Sequence, residues 1–255
     1  MAIAPTISII TVSAFDEVRL GTTLKSLVML GEEVEHILVV PREDLKSVSL
    51  WKEHKSNAGI QMRLLHDSNQ GIYHAMNIGG RSAKGDYICF WNAGDELISP
   101  AAMRILISRL QKDKPEWLIF QGDFSWRQPL LLSESEVQSF VIHNPNSFIS
   151  HQCMVIKKNE FDSLQGFNTR YDIAADTAQI TQLFLKVKPV FENVSVVRVE
   201  TPNLAAKNHR RSRYESFIIA LTSLKGSMRM EAIQNILRAE VGRIIARFKP
   251  TRKIK

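Results

Sequence analysis

The sequence predicts an α/β protein with an open central sheet of βαβ units flanked by helices, and three observations carry that prediction. β-Branched or apolar runs at Ile7–Val12, Glu35–Val40 and Gln61–His66 are separated by stretches of helical period, the pattern that builds βαβ units. Ile7–Val12 and Tyr87–Trp91 are apolar almost throughout, as expected of strands covered on both faces. A polar turn containing glycine, Asn92-Ala93-Gly94-Asp95-Glu96, closes the second of these runs, and open α/β sheets place their ligands at the carboxyl ends of their strands.

Each element can be justified in order. After the first strand, Ser13-Ala14-Phe15-Asp16 turns the chain, and Asp16 or a neighbour caps a helix reaching to about Leu30. Leu20, Leu24, Leu27 and Val28 give that helix its inner face. A second helix spans roughly Asp44–Lys55, and Asn57-Ala58-Gly59 leads into the third strand. Gly71-Ile72-Tyr73-His74-Ala75-Met76-Asn77 starts as a loop and turns helical. Beyond Asp95, Ser99 is a suitable N-cap with Pro100 in the first helical position, and Met103, Leu106, Ile107 and Leu110 form an apolar face. Trp117–Asp123 and His151–Lys158 read as strands, with weakly periodic loops between Arg127 and Ser150. A helix with Ile180, Leu183 and Phe184 on one side follows Asp176, and Val190–Glu200 supplies a last strand or hairpin.

By spacing alone, Asp95 reads equally as a ligand-binding acid or a solvated turn residue, and Asp176 reads as a plain helix cap. A resemblance decides between these. GIYHAMN followed by AKGDYICFWNAGDEL resembles the GIYDAMN…AxGDYxxFLNAGDEL signature of family 2 glycosyltransferases of GT-A fold, in particular a bacterial polysaccharide, colanic-acid-type subgroup. HQCMVIKKNEFDSLQGFNTRYDIAADTAQ resembles the same family's second signature, with Thr177 in place of an aromatic residue. The similarity runs from the first strand to about residue 187. It implies the GT-A nucleotide-diphospho-sugar transferase fold, with its mixed, mostly parallel sheet, over 1–204; the charge distribution sets 205–255 apart as a basic helical extension.

It also implies a mechanism: inverting transfer of a sugar from a nucleotide-sugar donor to a glycan or lipid-linked glycan acceptor, in cell-surface polysaccharide biosynthesis. In that scheme Asp176 is the general base. Gly71, Asn77, Asn92 and Asp95 contact the donor side, and Asp95 is the ligand of a Mg²⁺ or Mn²⁺ ion, with Asn92 a weak or outer partner. A hard cation wants oxygen ligands, and Asp95, in a turn, is expected to support no core. His151 is expected either at acceptor or phosphate or as a structural histidine, and Asp172 as structural or acceptor-contacting. Where the family carries an acid after the second strand, this chain has Val40-Pro41-Arg42-Glu43-Asp44; only a loop shift would let Glu43 or Asp44 substitute. His74 and Asn69 also stand where acids are usual. These departures leave a second expectation, a catalytically lapsed GT-A protein that binds or scaffolds.

Composition limits the partners. The chain has 255 residues, 44% hydrophobic and 23% charged, which describes a globular protein. Of its 33 basic residues 13 lie in 205–255, against three of the 26 acidic ones. The extension is therefore expected to meet an anionic surface. Ala232, Ile233, Ile236, Leu237, Val241, Ile244, Ile245 and Phe248 form an apolar stripe beside Arg229, Arg238, Arg243, Arg247 and Lys249, which fits an anionic membrane; packing on the catalytic domain is the alternative. Nucleic acid is not expected, because RNA-recognition signatures are absent. Residues 1–13 lack a signal peptide, and no apolar run reaches the roughly 18 residues of a spanning helix. Cys89 and Cys153 fall in apolar runs and read as reduced core residues. The expected location is cytoplasmic, with peripheral contact on the inner face of the plasma membrane.

Overall fold

A computed structural model describes residues 4–124, 132–143, 149–200 and 208–248. In chain order its elements are β1 (Ile7–Val12), α1 (Glu17–Leu27), β2 (Val34–Pro41), α2 (Leu45–Lys55), β3 (Gln61–Asp67), α3 (Ile72–Ser82) and β4 (Tyr87–Asn92). Next come β5 (Glu96–Leu97), α4 (Pro100–Asp113), β6 (Trp117–Phe124), α5 (Glu134–Val141), β7 (Met154–Lys157), α6 (Lys158–Ser163), α7 (Ala175–Lys186) and β8 (Val190–Val199). Two further helices close the chain, α8 (His209–Ser223) and α9 (Gly226–Phe248).

The strands form one mixed sheet in the order β3-β2-β1-β4-β7-β6-β8-β5. β3, β2, β1 and β4 run parallel, in register from Ile7 beside Val34 and Tyr87 to Val12 beside Val39 and Asn92. β7 lies antiparallel to both β4 and β6, β8 is parallel to β6, and β5 is antiparallel to β8. Thus β4 and the two-residue β5 lie far apart in the sheet, and the Asn92–Asp95 turn joins them.

Period-two alternation divides the strand side chains between two cores. Ile9, Leu38, Cys89 and Trp91 meet Leu20, Leu24 and Leu27 of α1, Trp51 of α2 and Met103, Leu106 and Leu110 of α4. On the other face, Ile10, Ile37, Ile88 and Phe90 meet Met76 of α3, Phe161 of α6, and Ile180 and Leu183 of α7. Covered faces on both sides explain why these strands read as continuous apolar runs. Both cysteines are buried and unbridged. Burial also raises both thiol pKa values, so neither is a ready nucleophile.

The caps follow the sequence closely. Asp16 Oδ1 accepts the Arg19 amide at 3.2 Å, and Ser99 Oγ accepts the Ala102 amide at 3.1 Å ahead of Pro100. Two expectations are corrected. The strand expected over 151–158 is only Met154–Lys157, preceded by a single 3₁₀ turn at His151–Cys153. The Gln152 carbonyl there accepts Trp91 Nε1 at 3.2 Å, and the Cys153 amide turns back to Ser150, so neither group is free for a ladder. Within the weakly periodic 127–150 stretch, α5 is a helix capped by Ser133; Val137 and Val141, one turn apart, are its two buried residues. The remainder of that expected loop, 127–131 and 144–148, lies outside the described residues.

The helices of the 205–255 extension pack onto the domain. Ile219, Ala220, Leu224 and Ala232 are fully buried, and Met228 and Ile236 rest against the core on the α7 side of the sheet. The expected apolar stripe is therefore divided: Ala232 faces inward, while Leu237 and Val241 stay more than half exposed. The side chains of Ile244, Ile245, Arg247 and Phe248, together with Lys249, lie outside the described residues. Among the described residues no helix is long and apolar enough to cross a membrane.

Candidate active site

Asp95 closes the turn after β4. Its Oδ2 accepts the Asn92 amide at 2.7 Å and its Oδ1 accepts the Glu200 amide at 3.0 Å, from the end of β8. The side chain is 1% exposed. The expectation that this carboxylate supports no structure is thereby corrected, for it ties the β4 turn to β8. Burial pushes its pKa up to about 6, against the opposing pull of the two amides. Gly94 adopts φ +104, the left-handed region that favours glycine. A Cβ there would fall 1.8 Å from Glu200 Oε2 and 3.0 Å from Arg19 Nε. The Glu200 carboxylate, ion-paired with Arg19, thus lies over Gly94.

Asp176 stands in the first turn of α7 with its side chain one quarter exposed. It accepts the Thr177 amide at 2.7 Å and His151 Nδ1 at 3.1 Å, and shares the single Tyr73 hydroxyl proton, at 3.1 Å, with the Ile173 carbonyl at 2.9 Å. Burial alone would raise its pKa. The bonds and charge of His151, with the Thr177 amide and Tyr73, outweigh burial and hold the carboxyl below the ordinary carboxylate value. Nδ1–H donates in this contact, and Nε2 is a buried atom with no partner among the described residues. The carbonyl of Gln152, the residue after His151, accepts Trp91 Nε1 just before the Asn92–Asp95 turn, which brings the segment holding Asp176 beside the one holding Asp95. Tyr73 sits on α3 inside the GIYHAMN segment and His151 starts the second signature, yet their convergence on Asp176 depends on the fold.

The donor-side residues divide. Gly71 is the N-cap of α3 at φ +101, with no side-chain cap and open space where a Cβ would be. Asn77 is corrected. Only 4% exposed, it donates Nδ2 to the Phe167 carbonyl and accepts the Phe167 amide on Oδ1, both at 2.8 Å. Each polar atom makes one bond in that clamp, which fixes the segment leading to Asp176. The loop-shift substitute for the absent acid after β2 is also closed to Asp44. Its Oδ1 caps α2 through the Ser47 amide at 3.1 Å, and its Oδ2 accepts the Phe15 amide at 2.7 Å. A residue the sequence reading missed is Asp67, paired in register with Pro41 at the end of β3. Its Oδ2 accepts the Asn69 amide, while Oδ1 is buried without a partner among the described residues. The Asp172 carboxylate is paired with Arg211.

Among the described residues no group of three or more His, Cys, Asp or Glu side chains is placed to hold a metal ion. Around Asp95 the donors are oxygens: the carboxylate, with lone pairs remaining beyond its two amide bonds, and Asn92 Oδ1, buried without a partner. This small set suits a hard cation that takes most of its ligands from phosphate and water, and does not suit zinc.

The sheet order and the two acids, one closing β4 and one starting α7, define a nucleotide-diphospho-sugar transferase fold. The chain belongs to glycosyl transferase family 2, whose family model matches residues 8–165. Relatives described as PGL/p-HBAD biosynthesis glycosyltransferases in Mycobacterium bovis and Mycobacterium tuberculosis are 26% identical over 127 residues. That match covers 47% of this chain and 46% of each relative, so the chain spans about half the length of the curated relatives it matches. Among solved structures, S. aureus TarS in complex with UDP-GlcNAc has a TM-score of 0.69 at 13% identity, covering 98% of this chain and 76% of that one. Mannosyltransferase PcManGT from Pyrobaculum calidifontis, in complex with GDP-Man and Mn²⁺, has a TM-score of 0.66 at 14% identity, covering 96% and 76%. At these identities the two structures show the fold.

Proposed function

We propose that the chain is an inverting glycosyltransferase that moves a sugar from a nucleotide sugar to a hydroxyl of a glycan or lipid-linked glycan during cell-surface polysaccharide synthesis. The observation that carries the reading is Asp176, held ionised by three donors in the neighbourhood of the Asn92–Asp95 turn. Asp176 takes the acceptor proton as the acceptor oxygen bonds to the anomeric carbon, and the bond from that carbon to the nucleoside diphosphate breaks with its electron pair. Attack from the face opposite the diphosphate inverts the anomeric centre and needs no enzymic nucleophile. A positioned base contributes roughly 10²–10⁴-fold, about 3–5 kcal/mol of barrier. His151 orients Asp176 and shares its negative charge.

The uncapped amino end of α3 behind Gly71 suits the donor's phosphates. Asp67, paired with Pro41, stands beside the turn after β2 from which the family's acid is absent. Bound Mg²⁺ or Mn²⁺ supplies charge neutralisation for the departing diphosphate; Asp95 and Asn92 Oδ1 would hold it. The basic extension favours peripheral contact with an anionic inner membrane surface from the cytoplasmic side. Its exposed Tyr214, Met230, Leu237 and Val241 stand among Arg210, Arg238 and Arg243. The commitment of Asp44 to structure favours the second reading, a lapsed GT-A protein that binds without turnover.

Hydrolysis and transfer from a panel of nucleotide sugars, with and without Mn²⁺, separates the two. The proposal expects metal-dependent turnover in the wild type and at least a hundredfold loss in Asp176→Asn with nucleotide binding retained. Near-normal turnover in Asp176→Asn, or a product of retained configuration by NMR, defeats it. Binding without any turnover in the wild type selects the lapsed reading.

A further inference from the structure

The mechanism makes no use of Glu215, a buried acid on α8 that is only 3% exposed. Its carboxylate is saturated. Oε1 accepts the Asp172 amide at 3.0 Å and Arg211 Nε at 2.9 Å, and Oε2 accepts the Ile173 and Ala174 amides, both at 2.9 Å. Arg211, one turn earlier on α8, also pairs with the Asp172 carboxylate. An ionised carboxylate inside a protein is costly unless fully hydrogen-bonded. Here the three backbone amides and Arg211 satisfy it and hold its pKa below the ordinary value, against burial, which would raise it.

The segment it grips ends two residues before Asp176. The N-cap of α7 is Ala174, which has no side chain able to cap. The lead-in amides are bound instead from another helix. Tyr73 completes the staple: its single hydroxyl proton is shared between the Ile173 carbonyl at 2.9 Å and Asp176 Oδ1 at 3.1 Å. Ile173 is thus held by its N–H from α8 and by its carbonyl from α3. Ala174, Ala178 and Ile219 pack together beneath this grip and fix α8 against α7.

We propose that Glu215, braced by Arg211, is a positioning residue that sets the orientation of Asp176, so that the extension is part of the catalytic apparatus. This rests on Asp176 being the base. Removing the grip would let the 172–174 backbone relax and Asp176 swing from the alignment that an attacking hydroxyl requires. Small misplacements of a positioned group cost orders of magnitude in rate, with donor binding at the other acid left alone.

The experiment uses the full chain, with Glu215→Gln and Arg211→Gln as variants. Readouts are nucleoside diphosphate affinity by calorimetry, and turnover with whichever panel nucleotide sugar the wild type uses fastest. Amide exchange over 172–176 is followed by mass spectrometry. Glu215→Gln is expected to lower kcat about tenfold or more, with donor KM and diphosphate affinity within about twofold, and to speed exchange over 172–176. Arg211→Gln, at a half-exposed position, is expected to lower kcat about two- to fivefold in the same pattern; it decides the question if Glu215→Gln does not fold. The double variant Asp176→Asn/Glu215→Gln should be no slower than Asp176→Asn alone, because a misplaced base and an absent one are the same loss. A lower melting temperature with unchanged kcat, or losses that multiply in the double variant, overturns the positioning role. Near-normal turnover in Asp176→Asn alone overturns the base assignment instead.

Discussion

Replacing Gly94 by alanine tests whether the turn that carries Asp95 is fixed by its backbone or by the acid lying over it. Two costs can be worked out. At φ +104 an L-residue is strained by about 1–2 kcal/mol. The new Cβ would also overlap Glu200 Oε2, at 1.8 Å, so the end of that side chain must move and its pair with Arg19 opens. Those two side chains are 40% and 34% exposed, so solvent screening limits the pair to about 0–1 kcal/mol. Despite the severe overlap, the whole cost is therefore about 1–3 kcal/mol.

Gly71 is the control, at φ +101 with nothing within 4 Å of its Cβ position; Gly71→Ala should carry the conformational cost alone. Gly31, also with nothing within 4 Å and without a positive φ, should accept alanine with little change. Urea unfolding of the three variants gives the differences directly. In a chain of this size 1 kcal/mol shifts the melting temperature by roughly 2–4 °C. If Gly94→Ala costs about 4 kcal/mol or more beyond Gly71→Ala, Glu200 is rigidly fixed and the screening argument fails. If Gly94→Ala and Gly71→Ala are as neutral as Gly31→Ala, the backbone argument fails.

Three further outcomes are expected. Asp95→Ala leaves the Asn92 and Glu200 amides without their acceptor, and should lose about 1–3 kcal/mol of stability along with Mn²⁺-dependent binding of nucleoside diphosphate; unchanged calorimetric affinity removes Asp95 from the donor site. His36 is fully buried against Thr11, and burial lowers its pKa to about 3. Its folded pKa lies below the unfolded value, so its stabilisation is full above about pH 6.5 and declines by about 1.4 kcal/mol per unit as pH falls towards 3. Unfolding free energies of wild type and His36→Leu between pH 6.5 and 5 should differ in slope by about that amount, and parallel slopes refute it. The full-length chain should sediment with anionic vesicles at low salt and be released at high salt, each basic group near the surface contributing on the order of 1 kcal/mol; absence of sedimentation at low salt ends the membrane proposal.

The sequence by itself determined the parallel half of the sheet. Ile7–Val12 and Tyr87–Trp91 are apolar on both faces, which only a doubly covered strand tolerates, and Asp16 and Ser99 carry their capping chemistry locally. It also placed Asp95 at the end of β4 and Asp176 at the start of α7, through motifs that are contiguous in the chain. What it did not determine is what each acid touches. Asp95 is tied by the amide of Glu200, 105 residues away, and Asp176 by Tyr73, 103 residues away, and His151, 25 away. Nothing in the local sequence around Asn77 shows its clamp on Phe167, which packing against the Gly166-Phe167 turn creates. The extension shows the same division. Its charge is a property of composition, legible at once. The burial of Glu215 against the amides that lead to Asp176 was decided by tertiary structure alone, because a carboxylate's partners are set by which backbone groups are left unpaired when helices dock.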